Sequence, residues 1–197
     1  MNRILFVCTG NTCRSPMAEG MMKSLIEKAG LTGLEVRSAG VSAFTGMPVS
    51  DHARTVLQEK GCALTDGSKL LDEELVQWAD LVLTMTASHK RHTIQLHPEA
   101  VDKVHTLKEY VAEGGGKDER TIAELESLLS SIQLKQALSE PITDEERMRI
   151  IALEKELPSH DISDPFGGPY SLYAACAEEI EEGLHKLVDK LKRLREA

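Results

Sequence analysis

The sequence predicts an α/β fold in three layers, with a four-stranded parallel sheet covered by helices on both faces. Three observations carry that reading. Short apolar runs at 4–7, 34–38, 80–85 and 104–107 have the length of strands. Helical patterns separate them, the first with Met17, Met21, Leu25 and Ala29 at four-residue spacing before Gly30. No tight hairpin signal joins two of the runs, so neighbouring strands are reached by crossovers, which makes them parallel and buried on both sides.

The first run, Ile4-Leu5-Phe6-Val7, reads as a buried strand that opens directly into a loop. The second alternates and ends in Ala39-Gly40. Pro48, with Ser50 or Asp51 as the cap, starts a helix that runs through Glu59 and stops at Gly61. A short helix is expected at 72–78, followed by the third and fourth strands. Residues Gly114, Gly115 and Gly116 then break the pattern. Beyond them Ile122, Leu125, Leu129 and Ile132 form one helical stripe. A second helix carries a capping box at Thr143 to Glu146, then Met148, Ile151 and Leu157, bracketed by Pro141 and Pro158. Nothing in 114–159 reads as a strand. The expected organisation is one domain over 1–197, with 114–159 a helical-hairpin insertion of the kind that surface loops tolerate. Its expected role is passive, with gating of a nearby site or dimerisation as the alternative. Ser171 opens the last helix, whose apolar face is Leu172, Cys176, Ile180, Leu184, Leu187, Leu191 and Leu194.

In parallel sheets ligands bind beyond the carboxyl ends of strands, and the first strand ends at Cys8. The stretch Cys8-Thr9-Gly10-Asn11-Thr12-Cys13-Arg14-Ser15-Pro16 is strand end, tight loop and helix start. A loop this short can turn its backbone N–H groups toward one point and hold a tetrahedral oxyanion. Gly10 and Asn11 suit the positive φ angles that such a curl requires. Cys8 would lie beneath the anion. Arg14, on the first helical turn, offers a two-pronged hydrogen bond to two of its oxygens. A free thiol is mostly protonated at neutral pH, and the loop dipoles, the helix start, Arg14 and the Ser15 hydroxyl all favour the ionised sulfur. Cys8 is therefore a candidate nucleophile.

The chain resembles the low-molecular-weight protein-tyrosine-phosphatase family, and within it the bacterial protein-arginine-phosphatase branch. The match lies in the run from Val7 to Glu19, in Arg37-Ser38-Ala39-Gly40 and in Asp164-Pro165-Phe166-Gly167-Gly168. The resemblance implies a flavodoxin-like strand order, 2-1-3-4, and a cysteine-dependent protein phosphatase that works through a phosphocysteine intermediate without a cofactor. It makes Cys8, Arg14 and Asp164 catalytic, with Asp164 as general acid; alone, an Asp-Pro pair is usually a turn starter. Thr9, Gly10, Asn11, Thr12, Cys13, Arg14, Ser15 and Phe166 would hold phosphate and substrate. Ser15 and Ser38 would brace the loop, Ser38 through Asn11. Cys8 and Cys13 would form a reversible protective bridge; the residues alone leave Cys13 equally well explained as a small core side chain. Thr12, where tyrosine-specific relatives carry a bulky aliphatic residue, and Phe166 at the mouth point to phosphoarginine over phosphotyrosine.

A net charge of −9 argues against nucleic acid as partner, and phosphorylated proteins are the expected substrates. No apolar run approaches the ~18 residues of a membrane span, and no signal-peptide pattern precedes the first strand, so the cytoplasm is the expected location. The oligomeric state is not legible. The four cysteines show no Cys-x2-Cys pairing, and His52, His89, His92, His97 and His105 have no metal-ligand spacing, so no metal site is expected and each histidine is read as solvated or core. Three alternatives remain: a tyrosine phosphatase, an arsenate reductase, which needs resolving cysteines absent between Cys62 and Cys176, and a non-catalytic phospho-binding module.

Overall fold

The structure, a computed structural model, describes residues 1–112, 116–138, 140–156 and 159–196. Two compact units divide the chain: Met1–Val111 with His160–Ala197, and Ala112–Ser159.

The first unit holds the sheet. Strands β1 (Arg3–Cys8), β2 (Glu35–Gly40), β3 (Leu81–Thr84) and β4 (Val104–Thr106) are parallel and lie in the order β2-β1-β3-β4. Both the layers and the strand order agree with expectation. Alternation along β1 sends Ile4 and Phe6 to one face, packed with Met17, Met21, Ile180 and Leu184, and Leu5 and Val7 to the other, packed with Leu75, Val82 and Val104. Each of these large side chains contributes about 1.5–3 kcal/mol by leaving water. The first face belongs to helices α1 (Arg14–Ala29), which Gly30 terminates at φ 65°, and α8 (Tyr170–Glu196). On α8 Leu172 and Leu194 are exposed, because the ends of this 27-residue helix overrun a much shorter sheet; Tyr173, Ala177 and Val188 complete its buried face.

Helices α2 (Asp51–Glu59) and α3 (Glu73–Trp78) fall where expected, and Asp72 caps α3 by accepting from the Leu75 N–H at 2.8 Å. Ser50 precedes α2 without a side-chain capping bond, because its hydroxyl faces the Cys13 sulfur at 3.3 Å. Between β3 and β4 lie α4 (Ala87–Leu96) and a 3-10 turn (Pro98–Lys103), and α5 (Leu107–Val111) follows β4. Sequence periodicity gave no sign of α4, whose buried residues are only His89 and Thr93.

The second unit contains α6 (Gly116–Ala137) and α7 (Asp144–Glu156). Gly116 belongs to α6 and does not interrupt it; Gly114, Gly115, Leu157 and Pro158 lie outside the described residues, as does the side chain of Ile122. The capping box is present: Glu146 accepts from the Thr143 N–H at 2.9 Å and the Thr143 hydroxyl accepts from the Glu146 N–H at 3.2 Å. The expected apolar stripes are narrower than foreseen. Ile132 and Leu153 are buried, whereas Leu129, Met148 and Ile151 are exposed.

Candidate active site

Strand β1 delivers Cys8 to the carboxyl edge of the sheet beside Gly40 of β2. The next five residues curl back over the sulfur. The Asn11 N–H points at Cys8 Sγ at 3.3 Å, and Ser15 Oγ lies 3.0 Å from the same sulfur. Asn11 makes the curl with φ 53°, the one non-glycine positive φ among the described residues. Gly10 does not share that conformation: its φ is not positive, and a Cβ there would meet nothing nearer than Thr12 Oγ1 at 3.7 Å. The glycine that the curl needs is Gly40, where a Cβ would come within 2.5 Å of Thr9 O and 2.8 Å of Asn11 N.

A buried network fixes the Asn11 side chain. Its Nδ2 donates to Ser15 Oγ at 2.9 Å and to Ser38 Oγ at 2.8 Å, and its Oδ1 accepts from the Lys69 N–H at 2.7 Å. Ser38 passes its own proton to Glu19 Oε2 at 2.6 Å, and Glu19 is paired with Lys23. A carboxylate can only accept, so Glu19 sets the direction of the chain. Ser38 must accept from Asn11, which leaves Ser15 accepting from Asn11 and its proton free for Ala39 O at 3.2 Å or the sulfur at 3.0 Å. Glu19 sits within the matched run, but no spacing rule marks it as part of this brace.

Above the sulfur is a cavity of about 230 Å³. Its walls are Cys8, Thr9, Gly10, Thr12, Cys13 and Arg14 from the loop, with Asp164 and Phe166 from the segment before α8. Arg14 is almost wholly buried, and its Nη2 donates to Asp164 Oδ2 at 2.9 Å, while Nη1 reaches Ile162 O at 3.5 Å. Asp164 and Phe166 are exposed at the mouth. Cys13 is buried, with its sulfur 3.5 Å from the Tyr173 hydroxyl. Cys8 and Cys13 both carry free thiols. By contrast, burial pushes the Cys176 thiol up to about 12, which leaves it inert. Every predicted site residue thus borders the cavity or the network beneath it.

His89, read from sequence as one scattered histidine among several, is buried beside this cavity. Both ring nitrogens are engaged, Nε2 with Thr9 Oγ1 at 2.8 Å and Nδ1 with Thr86 Oγ1 at 2.9 Å. A signal for it existed: His89 stands three residues after the helix cap Thr86, the place from which a side chain folds back onto its own cap. Among the described residues no group of three or more His, Cys, Asp or Glu side chains is arranged to hold a metal, and no helix is long and apolar enough to cross a membrane.

A thiol that receives a loop N–H and faces a serine hydroxyl, with a buried guanidinium and a carboxyl at the rim, defines a cysteine-dependent phosphatase centre on a parallel α/β sheet. The chain belongs to the low molecular weight phosphotyrosine protein phosphatase family, whose sequence model matches residues 3–124. It is 38% identical over 190 residues to a protein-arginine-phosphatase of Geobacillus stearothermophilus, covering 96% of both chains, and 38% identical over 192 residues to one of Bacillus subtilis, covering 98% of both. Among solved structures it is similar to a YwlE mutant from Bacillus subtilis, with a TM-score of 0.71 and 36% identity over 98% of this chain and 99% of that one. A cysteine-to-serine mutant of YwlE arginine phosphatase that carries a phosphorylated active-site serine is equally similar, with a TM-score of 0.71, 37% identity, and 96% and 95% coverage.

Proposed function

We propose that this chain removes phosphate from phosphoarginine on proteins through a phosphocysteine at Cys8. The observation that carries the substrate choice is the near-full-length likeness to two protein-arginine-phosphatases, together with Thr12 rather than a bulky aliphatic side chain in the cavity wall. A guanidinium leaving group is cationic when protonated, which suits a chain of net charge −9. The four free thiols suit the cytoplasm.

In the first step the Cys8 thiolate attacks phosphorus as the P–N bond breaks, and Asp164 gives its proton to the departing guanidine nitrogen. The loop N–H groups and Arg14 take up the charge on the equatorial oxygens. For this the phosphoryl group displaces Asp164 from Arg14 Nη2, and the freed carboxylate takes a proton from solvent at the mouth, which makes it the acid beside the leaving atom. In the second step a water gives its proton to Asp164, forms a bond to phosphorus and releases the Cys8 thiolate. Phe166 shields the mouth. A reversible Cys8–Cys13 bridge would spare the nucleophile from irreversible oxidation. Met1–Val111 and His160–Ala197 hold every strand and every residue of this machinery, so we read 114–159 as an insertion in a single catalytic domain.

A second reading, a phosphotyrosine phosphatase, is favoured by 39% identity over 113 residues to the low molecular weight protein-tyrosine-phosphatase PtpB of Staphylococcus aureus, which covers 57% of this chain and 76% of that protein. Parallel rates on phosphoarginine and phosphotyrosine proteins decide between them. Faster phosphoarginine turnover, exchanged for phosphotyrosine turnover in Thr12→Ile, supports the first. Faster phosphotyrosine turnover in the unaltered enzyme overturns it.

A further inference from the structure

The donor and acceptor count around His89 is unusually constrained. The ring is 7% exposed and contacts two hydroxyls, each with a single proton. Burial, with the nearby positive charge of Arg14, lowers its pKa to about 4, against weaker raising by Asp164 and Asp161 and a further lowering by His92. The ring is therefore neutral at working pH, with one nitrogen donating and the other accepting.

Thr86 favours one of the two arrangements. Its oxygen already accepts from the His89 backbone N–H at 3.2 Å, as the cap of α4, and its proton has no acceptor among the described residues other than Nδ1. With the Thr86 O–H donating to Nδ1, Nε2 carries the ring proton and donates to Thr9 Oγ1. Thr9 receives a hydrogen bond it does not have to return. Its own proton is left over, on a residue that lines both the cavity above Cys8 and a second cavity of about 420 Å³ shared with Ser88, His89 and Asp161.

We infer that His89 is a positioning residue for phosphoryl transfer: held as the Nε2–H tautomer by Thr86, it turns the Thr9 hydroxyl proton toward the anion above Cys8. Thr9 then supplies a side-chain donor to a phosphoryl oxygen, in addition to the loop's backbone N–H groups. The reverse tautomer would make Thr9 spend its proton on the ring and present lone pairs to a phosphate, which repels it. The inference rests on phosphoryl chemistry at Cys8 and is independent of the choice between arginine and tyrosine.

The test is steady-state kinetics on a generic aryl phosphate with inorganic phosphate as competing ligand, using His89→Gln, His89→Asn, Thr9→Val and the His89→Asn/Thr9→Val double variant. A Gln amide reaches the place of Nε2 and can donate to Thr9, whereas an Asn amide reaches only the place of Nδ1. A hydrogen bond to a charged group is the strong kind, so His89→Asn and Thr9→Val should each lower kcat/KM about tenfold or more and weaken phosphate inhibition similarly. His89→Gln should stay within about threefold of the unaltered enzyme, and the double variant should lose no more than either single one. Nitrogen-15 NMR of the imidazole in the unaltered, phosphate-bound enzyme, assigned with His89→Asn, should show Nε2 protonated and Nδ1 bare from pH 6 to 8. An Nδ1–H tautomer, equal losses in His89→Gln and His89→Asn, or an unaffected His89→Asn overturns the inference. Absence of Cys8-dependent aryl phosphate turnover in the unaltered enzyme would instead overturn the phosphatase reading itself.

Discussion

Asn11→Ala is the sharpest probe of how the catalytic loop keeps its shape. The substitution removes three hydrogen bonds, to Ser15, Ser38 and the Lys69 N–H. At a net value near 1 kcal/mol each they amount to about 3 kcal/mol. It also places a Cβ without a compensating amide at φ 53°, which adds roughly 1 kcal/mol. The expected destabilisation is about 4 kcal/mol, a large share of the 5–15 kcal/mol that typically holds a domain together. Ser38→Ala shares one of those bonds and also takes the partner from Glu19, a buried carboxylate, so about 2–3 kcal/mol is expected there. Because the Asn11–Ser38 bond is counted in both, the double variant should fall short of the sum by about 1 kcal/mol.

Urea unfolding followed by circular dichroism at pH 7 measures all three, with vanadate-free enzyme so that no anion holds the loop closed. Catalysis should fall through kcat more than KM, since a loop that must be reassembled over each phosphoryl group is no longer preorganised for the transition state. Asn11→Ala costing under 1 kcal/mol, or additive effects of the two substitutions, would refute the claim that this network shapes the loop.

Other expectations are equally direct. Asp164→Asn should lower kcat by about 10²–10⁴ while phosphate still binds, as read by competitive inhibition. Gly40→Ala drives a methyl into the backbone at Thr9 and Asn11, and it should abolish turnover in protein that remains folded by circular dichroism; Gly10→Ala, with open space in its place, should be tolerated by the fold. Stability should fall as pH drops from about 6.5 to 4, because the unfolded chain protonates His89 at its ordinary value of 6.5 while the folded chain resists until about 4. His89→Asn should flatten that slope in urea titrations. Glu109 adds to the same loss at lower pH: burial opposes its ionisation, but the Lys90 and Thr106 hydrogen bonds outweigh burial and hold it below the usual range, so its stabilisation is present above that range and lost as the carboxylate protonates.

The sheet and the loop were legible because they rest on strong local rules. A buried strand must be apolar, and an anion nest needs short residues and a left-handed turn. The errors fall where contacts between distant residues decide. Gly10 was credited with a positive φ because glycine permits it, but the demand for a missing side chain arises at Gly40, through the approach of β2 to the loop, which no local pattern encodes. Ser50 does hold the N-cap position of α2, with its carbonyl accepting from the Arg54 N–H at 2.9 Å, but its hydroxyl faces the Cys13 sulfur and makes no capping bond. Helix α4 carries almost no apolar period, since only His89 and Thr93 turn inward, and it is held by its cap and by the Asp161 carboxylate on the Ala87 N–H at 2.7 Å. In α6 and α7 apolar spacing marks Leu129, Met148 and Ile151 as seam residues, but all three are exposed, and the buried Leu153 falls outside that spacing.

The Arg14–Asp164 pair connects rest to turnover. A guanidinium as buried as Arg14 needs a counter-charge at all times, since an unpaired buried ion costs several kcal/mol. Asp164 provides that charge from a position more than half exposed, where its own desolvation is small. In the mechanism proposed above a phosphoryl group offers a better match, with two oxygens for the fork and the loop N–H groups for the rest, so that it would win the arginine and push the carboxyl toward the leaving atom. Once phosphate is the product, the same carboxyl competes for Arg14 again and helps to expel it. In the proposed mechanism one side chain therefore serves as placeholder, acid, base and release aid. That division fits the placement of the proposed acid on an exposed segment before α8 and of the arginine on the first turn of α1: the group that must stay fixed is buried, and the group that must change partners is not.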